Sequence, residues 1–148
     1  FLMAALPNMK YIHVTRHGLD MAYSSNQTQL KVWGPELLAR TVNTKSADDS
    51  FAYWCAAHER VLKLQERTNQ KILILPFEGL FTDADSTISD LCSFLKLPDT
   101  RTKARNVIKQ LRAPQTMGRY RELQRLNVSE ANRRLLHRLG YDIEIPTG

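Results

Sequence analysis

Two short β-forming runs, Lys10-Tyr11-Ile12-His13-Val14 and Lys71-Ile72-Leu73-Ile74-Leu75, are separated by helical patterns and followed by another. Strand, helix, helix, strand, helix is the order of an α/β sheet with crossover helices. The first run reads as a buried strand. The second is continuously apolar, as in strands covered on both faces, and Pro76-Phe77-Glu78-Gly79 ends it. Two strands do not make a doubly wound sheet, so the pattern predicts an incomplete α/β unit with further strands outside the chain. Phe1-Leu2-Met3-Ala4-Ala5-Leu6-Pro7 reads as the end of a packed helix with a turn at Pro7-Asn8. It lacks the basic segment of a signal peptide, and a start in mid-helix is expected of a fragment.

Between and after the strands, a helical pattern runs from Leu19 to about Thr28. Leu30 to Asp49, with Gly34-Pro35 and many polar residues, predicts mostly loop, with one or two helical turns over Glu36 to Val42. Ser50 caps a helix reaching Arg67, in which Phe51, Trp54, Cys55, His58, Val61, Leu62 and Leu64 recur at helical spacing. Asp83 or Asp85 caps the next helix, whose inner face carries Ile88, Leu91, Cys92, Phe94 and Leu95 before Leu97-Pro98 stops it. Thr102 to Leu111 predicts a basic helix, Ala113 to Arg121 a loop, and Ser129 to Gly140 a last helix.

The 148 residues suit one domain, and 43% hydrophobic against 24% charged residues is a globular balance. No apolar run approaches the roughly 20 residues of a membrane span. Cys55 and Cys92 match no zinc-ribbon spacing and read as reduced, buried thiols, which points to a reducing compartment and a cytoplasmic location. The net charge of +6 suits nucleic acid, an acidic membrane face or a phosphorylated small molecule. No run of five like charges occurs between Arg101 and Arg138, and few aromatics interleave there. Both absences argue against a nucleic-acid partner, and steering of a small anion accounts for the charge equally well.

The chemistry concentrates in Lys10–Ser24, KYIHVTRHGLDMAYS. The strand delivers Arg16 at its carboxyl end, where open α/β sheets bind ligands, and the following helix directs free N–H groups to the same place. Arg16, Asp20 and Ser24 are four apart and would line one helical face. A guanidinium and a hydroxyl so placed can grip one phosphate. Asp20 would cap the helix or hold the Arg16 fork. The alternative is a surface Arg–Asp pair worth a few tenths of a kcal/mol. Of the histidines, His13 reads as a packed strand residue, His58 as structural beside Trp54, and His137 as solvated. His17, beside Arg16, is the one chemical candidate. No His/Asp/Glu set has convincing metal-ligand spacing.

KYIHVTRHGLDMAYS resembles the 3′-phosphate-binding segment of PAPS-dependent sulfotransferases, a strand followed by R-x-x-x-D-x-x-x-S. Trp54 with its helix and KILILPFEGL at Lys71–Leu80 are similar to the family's helix and its strand ending in Y-E-D-L. DADSTISDLCSFLKLP, Asp83–Pro98, is similar to the helix ending F-L-x-L-P. APQTMGRYRE, Ala113–Glu122, resembles the Gly-Arg loop that closes over the nucleotide in bacterial-type members. These segments follow one another in the family's order between Lys10 and Glu122.

The resemblance implies a three-layer α/β/α P-loop-like fold with a parallel central sheet, incomplete at the N-terminus, of which residues 1–148 would be the C-terminal part of a single domain. It implies sulfuryl transfer from PAPS to a hydroxyl or amine of a small-molecule or carbohydrate acceptor, with release of PAP and no metal. Arg16 and Ser24 would hold the 3′-phosphate. Gly118 and Arg119, with Arg121, would close on it from the other side. Phe77 would contact the adenine in place of the usual Tyr, without its hydroxyl, and Gly79 replaces the usual Asp. No Gly-rich phosphosulfate loop occurs in the chain, and the family's His or Glu base lies upstream of the Arg16 strand. His17 is then a candidate base only by its position. The residues leave two other readings open: a non-catalytic nucleotide-binding or interaction protein of the same fold, and a P-loop small-molecule kinase. Trp33, in the Leu30–Asp49 segment, either lines an acceptor wall or packs.

Overall fold

A computed structural model describes residues 5–6, 8–68, 71–97, 101–108, 110–123 and 126–142. The chain divides into two compact units, one from Phe1–Thr15 and Leu64–Pro114, the other from Arg16–Lys63 and Gln115–Gly148.

The first unit holds two parallel strands, β1 (Tyr11–Thr15) and β2 (Ile72–Pro76), with Tyr11 opposite Ile72 and Thr15 opposite Pro76. Each begins one residue later than its apolar run suggests. The parallel pairing bears out the α/β reading. Ile72 and Leu75 are buried, but Tyr11 and Val14 are 38% and 55% exposed. β1 is therefore not the buried strand its composition predicts; among the described residues it has a sheet neighbour on one edge only. His13, half-buried on β1, meets the Tyr11 hydroxyl through Nδ1 at 2.9 Å, and burial pulls its pKa below the ordinary value.

The Phe77 N–H donates to Thr15 O at 2.9 Å and prolongs the pairing. One helical turn then follows, which the sequence pattern did not indicate. We number the described helices from α1 in chain order, so this turn, Gly79–Thr82, is α4. Asp83 ends it and caps α5 (Ala84–Leu95) by accepting from Ser86 N at 3.2 Å, so Asp83 and not Asp85 is the cap. Ile88 is buried on the inner face of α5. The helix closes at Lys96, in the left-handed region at φ 55°, with Leu97 N donating to Cys92 O. Pro98 lies outside the described residues, as do Phe1–Ala4 and Pro7 of the predicted opening helix. α6 (Arg101–Ile108) stops short of Leu111, and an Asp85–Arg105 ion pair joins it to α5.

The second unit is helical. α1 spans only Gly18–Ala22, not Leu19 to Thr28. The Gln27 side chain donates to the carbonyls of Met21 and Ser24, at 3.2 and 2.8 Å, and Ser24 N bonds Met21 O. These bonds satisfy the end of the helix and turn the chain. α2 (Thr28–Leu38) takes in the first part of the Leu30–Asp49 segment, starting well before the helical turns predicted from Glu36. Gly34 is accommodated because it packs closely: a Cβ there would stand 2.8 Å from a Leu30 methyl and 3.2 Å from Val42. Trp33 is 58% exposed on this helix.

α3 (Ala47–Arg67) begins before Ser50. Its cap is Ser46, whose Oγ accepts from Asp49 N at 3.2 Å. The Asp49 carboxylate takes Arg40 Nη2 at 2.7 Å and Asn43 N at 2.6 Å, and these bonds, Arg40 first, hold its pKa below the usual range. Phe51, Trp54, Cys55 and Leu62 are buried along one face, as the spacing predicts. α7 (Glu130–Arg138) is capped by Ser129 Oγ. It ends in a Schellman arrangement, with Gly140 at φ 83°, Gly140 N on His137 O and Tyr141 N on Leu136 O. Among the described residues no helix is long and apolar enough to cross a membrane.

Candidate functional site

Arg16 follows the last residue of β1 directly, so the strand's carboxyl end leads into the second unit. The Arg16 carbonyl accepts from Trp54 Nε1 at 3.1 Å. Gly18, the first residue of α1, lies against the same indole. A Cβ on it would stand 2.7 to 2.9 Å from three ring carbons, so only glycine lets α1 approach Trp54 this closely. His17 is buried, and its Nδ1 accepts from Leu19 N at 3.2 Å, which makes it the cap of α1. Its ring stacks on Tyr120, centroids 4.4 Å apart and 13° from parallel, and meets the edge of Tyr141 at 5.0 Å.

The central group is Asp20, 1% exposed. Its Oδ2 accepts from Gly118 N at 2.6 Å and its Oδ1 from Tyr120 N at 3.1 Å. Its main-chain oxygen accepts from Arg119 Nε at 3.1 Å and Nη2 at 2.8 Å. A carboxylate this deep is tolerated only when such donors surround it. Gly118, at φ 79°, opens a 3-10 turn over Arg119–Glu122, within the stretch predicted as loop.

Of the two roles expected of Asp20, the helix cap falls to another residue. His17 caps α1, while the Asp20 carboxyl oxygens take amides from the loop. Arg16 reaches that loop too, with Nη2 3.5 Å from Thr116 Oγ1. Residues 16–20 and 116–120 thus form one cluster through Arg16, His17 and Asp20 on one side and Thr116, Gly118, Arg119 and Tyr120 on the other.

The cluster brings together Arg16, Gly118 and Arg119 among the residues singled out in the sequence. Arg121 is exposed beside it, its guanidinium 5.4 Å from the Tyr120 ring centre. Ser24 is half-buried in the turn after α1, where its Oγ accepts from Asn26 N at 3.3 Å. Because α1 stops at Ala22, Arg16 and Ser24 do not share a helical face as their spacing predicts. Phe77 belongs to the first unit, half-buried at the end of β2, with its ring edge-on to Phe81 at 5.3 Å. Thr116 and Tyr120 lie in the APQTMGRYRE segment but are not singled out there. They join the site through contacts that span about a hundred positions.

The other histidines sit as expected: His58 stacks on Trp54 at 4.1 Å, and His137 is exposed. Both cysteines are free thiols; Cys55 is buried, and burial pushes its pKa up to about 12, whereas Cys92 is half-buried. Among the described residues no group of three His, Cys, Asp or Glu side chains could hold a metal ion.

The sulfotransferase family model matches residues 1–101, a span that contains β1, the Arg16–Ser24 segment, α3 and β2. The chain belongs to the sulfotransferase family. Comparison with curated proteins and with solved structures returned no match. Membership makes this a sulfotransferase-type transferase and implies a P-loop-like fold, with which the parallel β1–β2 pair agrees. The matched span ends before the Gly118–Arg119 loop. What ties that loop to the sulfotransferase segment is its set of bonds to Asp20.

Proposed function

We propose that this sulfotransferase binds PAPS, transfers its sulfuryl group to a hydroxyl or amine of a small-molecule or carbohydrate acceptor, and releases PAP. The reading is carried by the pairing of Arg16–Asp20 with Thr116–Tyr120. That pairing gathers Arg16 and Arg119, with Arg121 beside them, into one unit of the chain. The residues suit a nucleotide bearing a 3′-phosphate. Guanidinium groups bind phosphate through charge-assisted, often forked hydrogen bonds, and partial burial strengthens them. Arg16 and Arg119 are both half-buried, and the Thr116 and Ser24 hydroxyls are available as further donors.

PAPS, when bound, supplies the sulfuryl group and a leaving nucleotide of high negative charge. This chain's own residues orient that nucleotide and stabilise its charge, the larger part of catalysis when a charged group passes between two oxygens. Arg16 and Arg119 do this from fixed positions, one anchored through its carbonyl to Trp54, the other through its guanidinium to Asp20 O. His17 caps α1 and stacks on Tyr120, so we assign it the positioning of the loop and not the acceptor's proton.

Calorimetry with PAP and with ADP tests the assignment on the full chain. PAP should bind at least about tenfold more tightly, the equivalent of one good charge-assisted contact to the 3′-phosphate. Equal affinities would remove the donor site, and a preference for ADP would favour a kinase.

A further inference from the structure

We infer that Asp20 is a positioning residue of the nucleotide loop, alongside His17: its carboxylate caps the 3-10 turn that carries Arg119, from 98 to 100 positions away in the chain. The inference rests on the donor-site reading above. A short helical turn leaves its first N–H groups without partners, and the residue before it normally provides an acceptor. Here that residue is Gly118, which has no side chain to provide one. The Asp20 carboxylate takes its place, accepting from Gly118 N and Tyr120 N with one oxygen each. The left-handed conformation of Gly118 turns both amides toward the same carboxylate.

The consequence for Arg119 is direct. It lies between the two clamped amides, and its guanidinium is held by the carbonyl of the same Asp20 through Nε and Nη2. One residue thus fixes the loop's backbone and, through its carbonyl, the edge of the arginine that faces protein. The other edge, Nη1, is not used in that grip. The side chain required at position 20 must accept two N–H bonds and donate none. Asparagine has the same shape but turns an NH₂ group toward one of the amides. Asp20→Asn is therefore a near-isosteric probe of the clamp.

The test compares the unaltered full chain with Asp20→Asn, and with Asp20→Ser as a second variant should the first not fold. Two measurements are made: amide hydrogen exchange by NMR and PAP affinity by calorimetry. The clamp predicts fast exchange at Gly118 and Tyr120, while the amides of α3 stay protected. It also predicts PAP affinity about tenfold lower or more. Unchanged protection of the two amides in either folded variant would overturn the clamp. Lost protection with unchanged PAP affinity would overturn its role in the site. If the unaltered chain binds no PAP, the donor-site reading fails, and the exchange measurement alone decides whether Asp20 holds the loop.

Discussion

The backbone nitrogen of Gly118 lies 2.6 Å from the carboxylate of Asp20, a residue 98 positions earlier in the chain. That bond fixes the loop to the short helix behind Arg16. The two arginines proposed to meet the nucleotide are set by one network, because Arg16 reaches Thr116 of the same loop. Changes at either end of the network should be felt at the other.

Arg16→Ala should weaken PAP binding by about 2 kcal/mol, the scale of a charge-assisted contact removed from a partly buried site. Ser24→Ala should cost less, below about 1 kcal/mol, since a hydroxyl contributes a neutral donor. Titration calorimetry of both variants provides the comparison. A larger loss from Ser24→Ala than from Arg16→Ala would reverse the proposed division of roles.

Gly18→Ala should destabilise the native state by about 1–3 kcal/mol, the range for overpacking a filled interior. The added methyl meets the rigid Trp54 ring at 2.7 Å and has no flexible chain end to push aside. It should also loosen the bond from Trp54 Nε1 to Arg16 O. Urea unfolding followed by tryptophan fluorescence reads both effects, and an unchanged midpoint would contradict the close approach.

Cys55 should make stability fall with pH in alkaline solution. Its thiol ionises near 9.0 when unfolded but only at about 12 when native, because burial disfavours the thiolate and the Glu59 charge adds to that. Above pH 9 the unfolded chain releases this proton and the folded one does not. The stabilisation present below pH 9 is thus lost progressively as pH rises toward 12. Denaturant midpoints between pH 8 and 10.5 should fall less steeply in Cys55→Ala than in the unaltered chain. Equal slopes would argue that Cys55 is not sealed. A thiol reagent at pH 8 should likewise leave Cys55 unmodified until the protein unfolds.

Much of the fold could be read from periodicity. The apolar runs before Arg16 and Pro76 became the two parallel strands, and Phe51, Trp54, Cys55 and Leu62 became one buried face. Ser129 and Gly140 bound the last helix as their chemistry requires. Local signals misled where tertiary contact decided the outcome. Gly34-Pro35 reads as a breaker, yet the helix continues because Gly34 fits against Leu30 and Val42. Spacing put Arg16, Asp20 and Ser24 on one helical face, but the Gln27 side chain takes the carbonyls that would have continued α1. Arg16 and Arg119 were visible as site residues because they sit in recognisable segments. The role of Asp20 was not, since its partners are backbone amides, which have no letter in the sequence.

That arrangement also orders events at the ribosome. Synthesis runs from the amino end, so Arg16 to Asp20 emerge long before Thr116 to Tyr120 exist. Until then the Asp20 carboxylate lacks the two loop amides it accepts from in the folded protein. The cluster joins segments about a hundred positions apart, and nascent polypeptides that end before Thr116 contain only half of it.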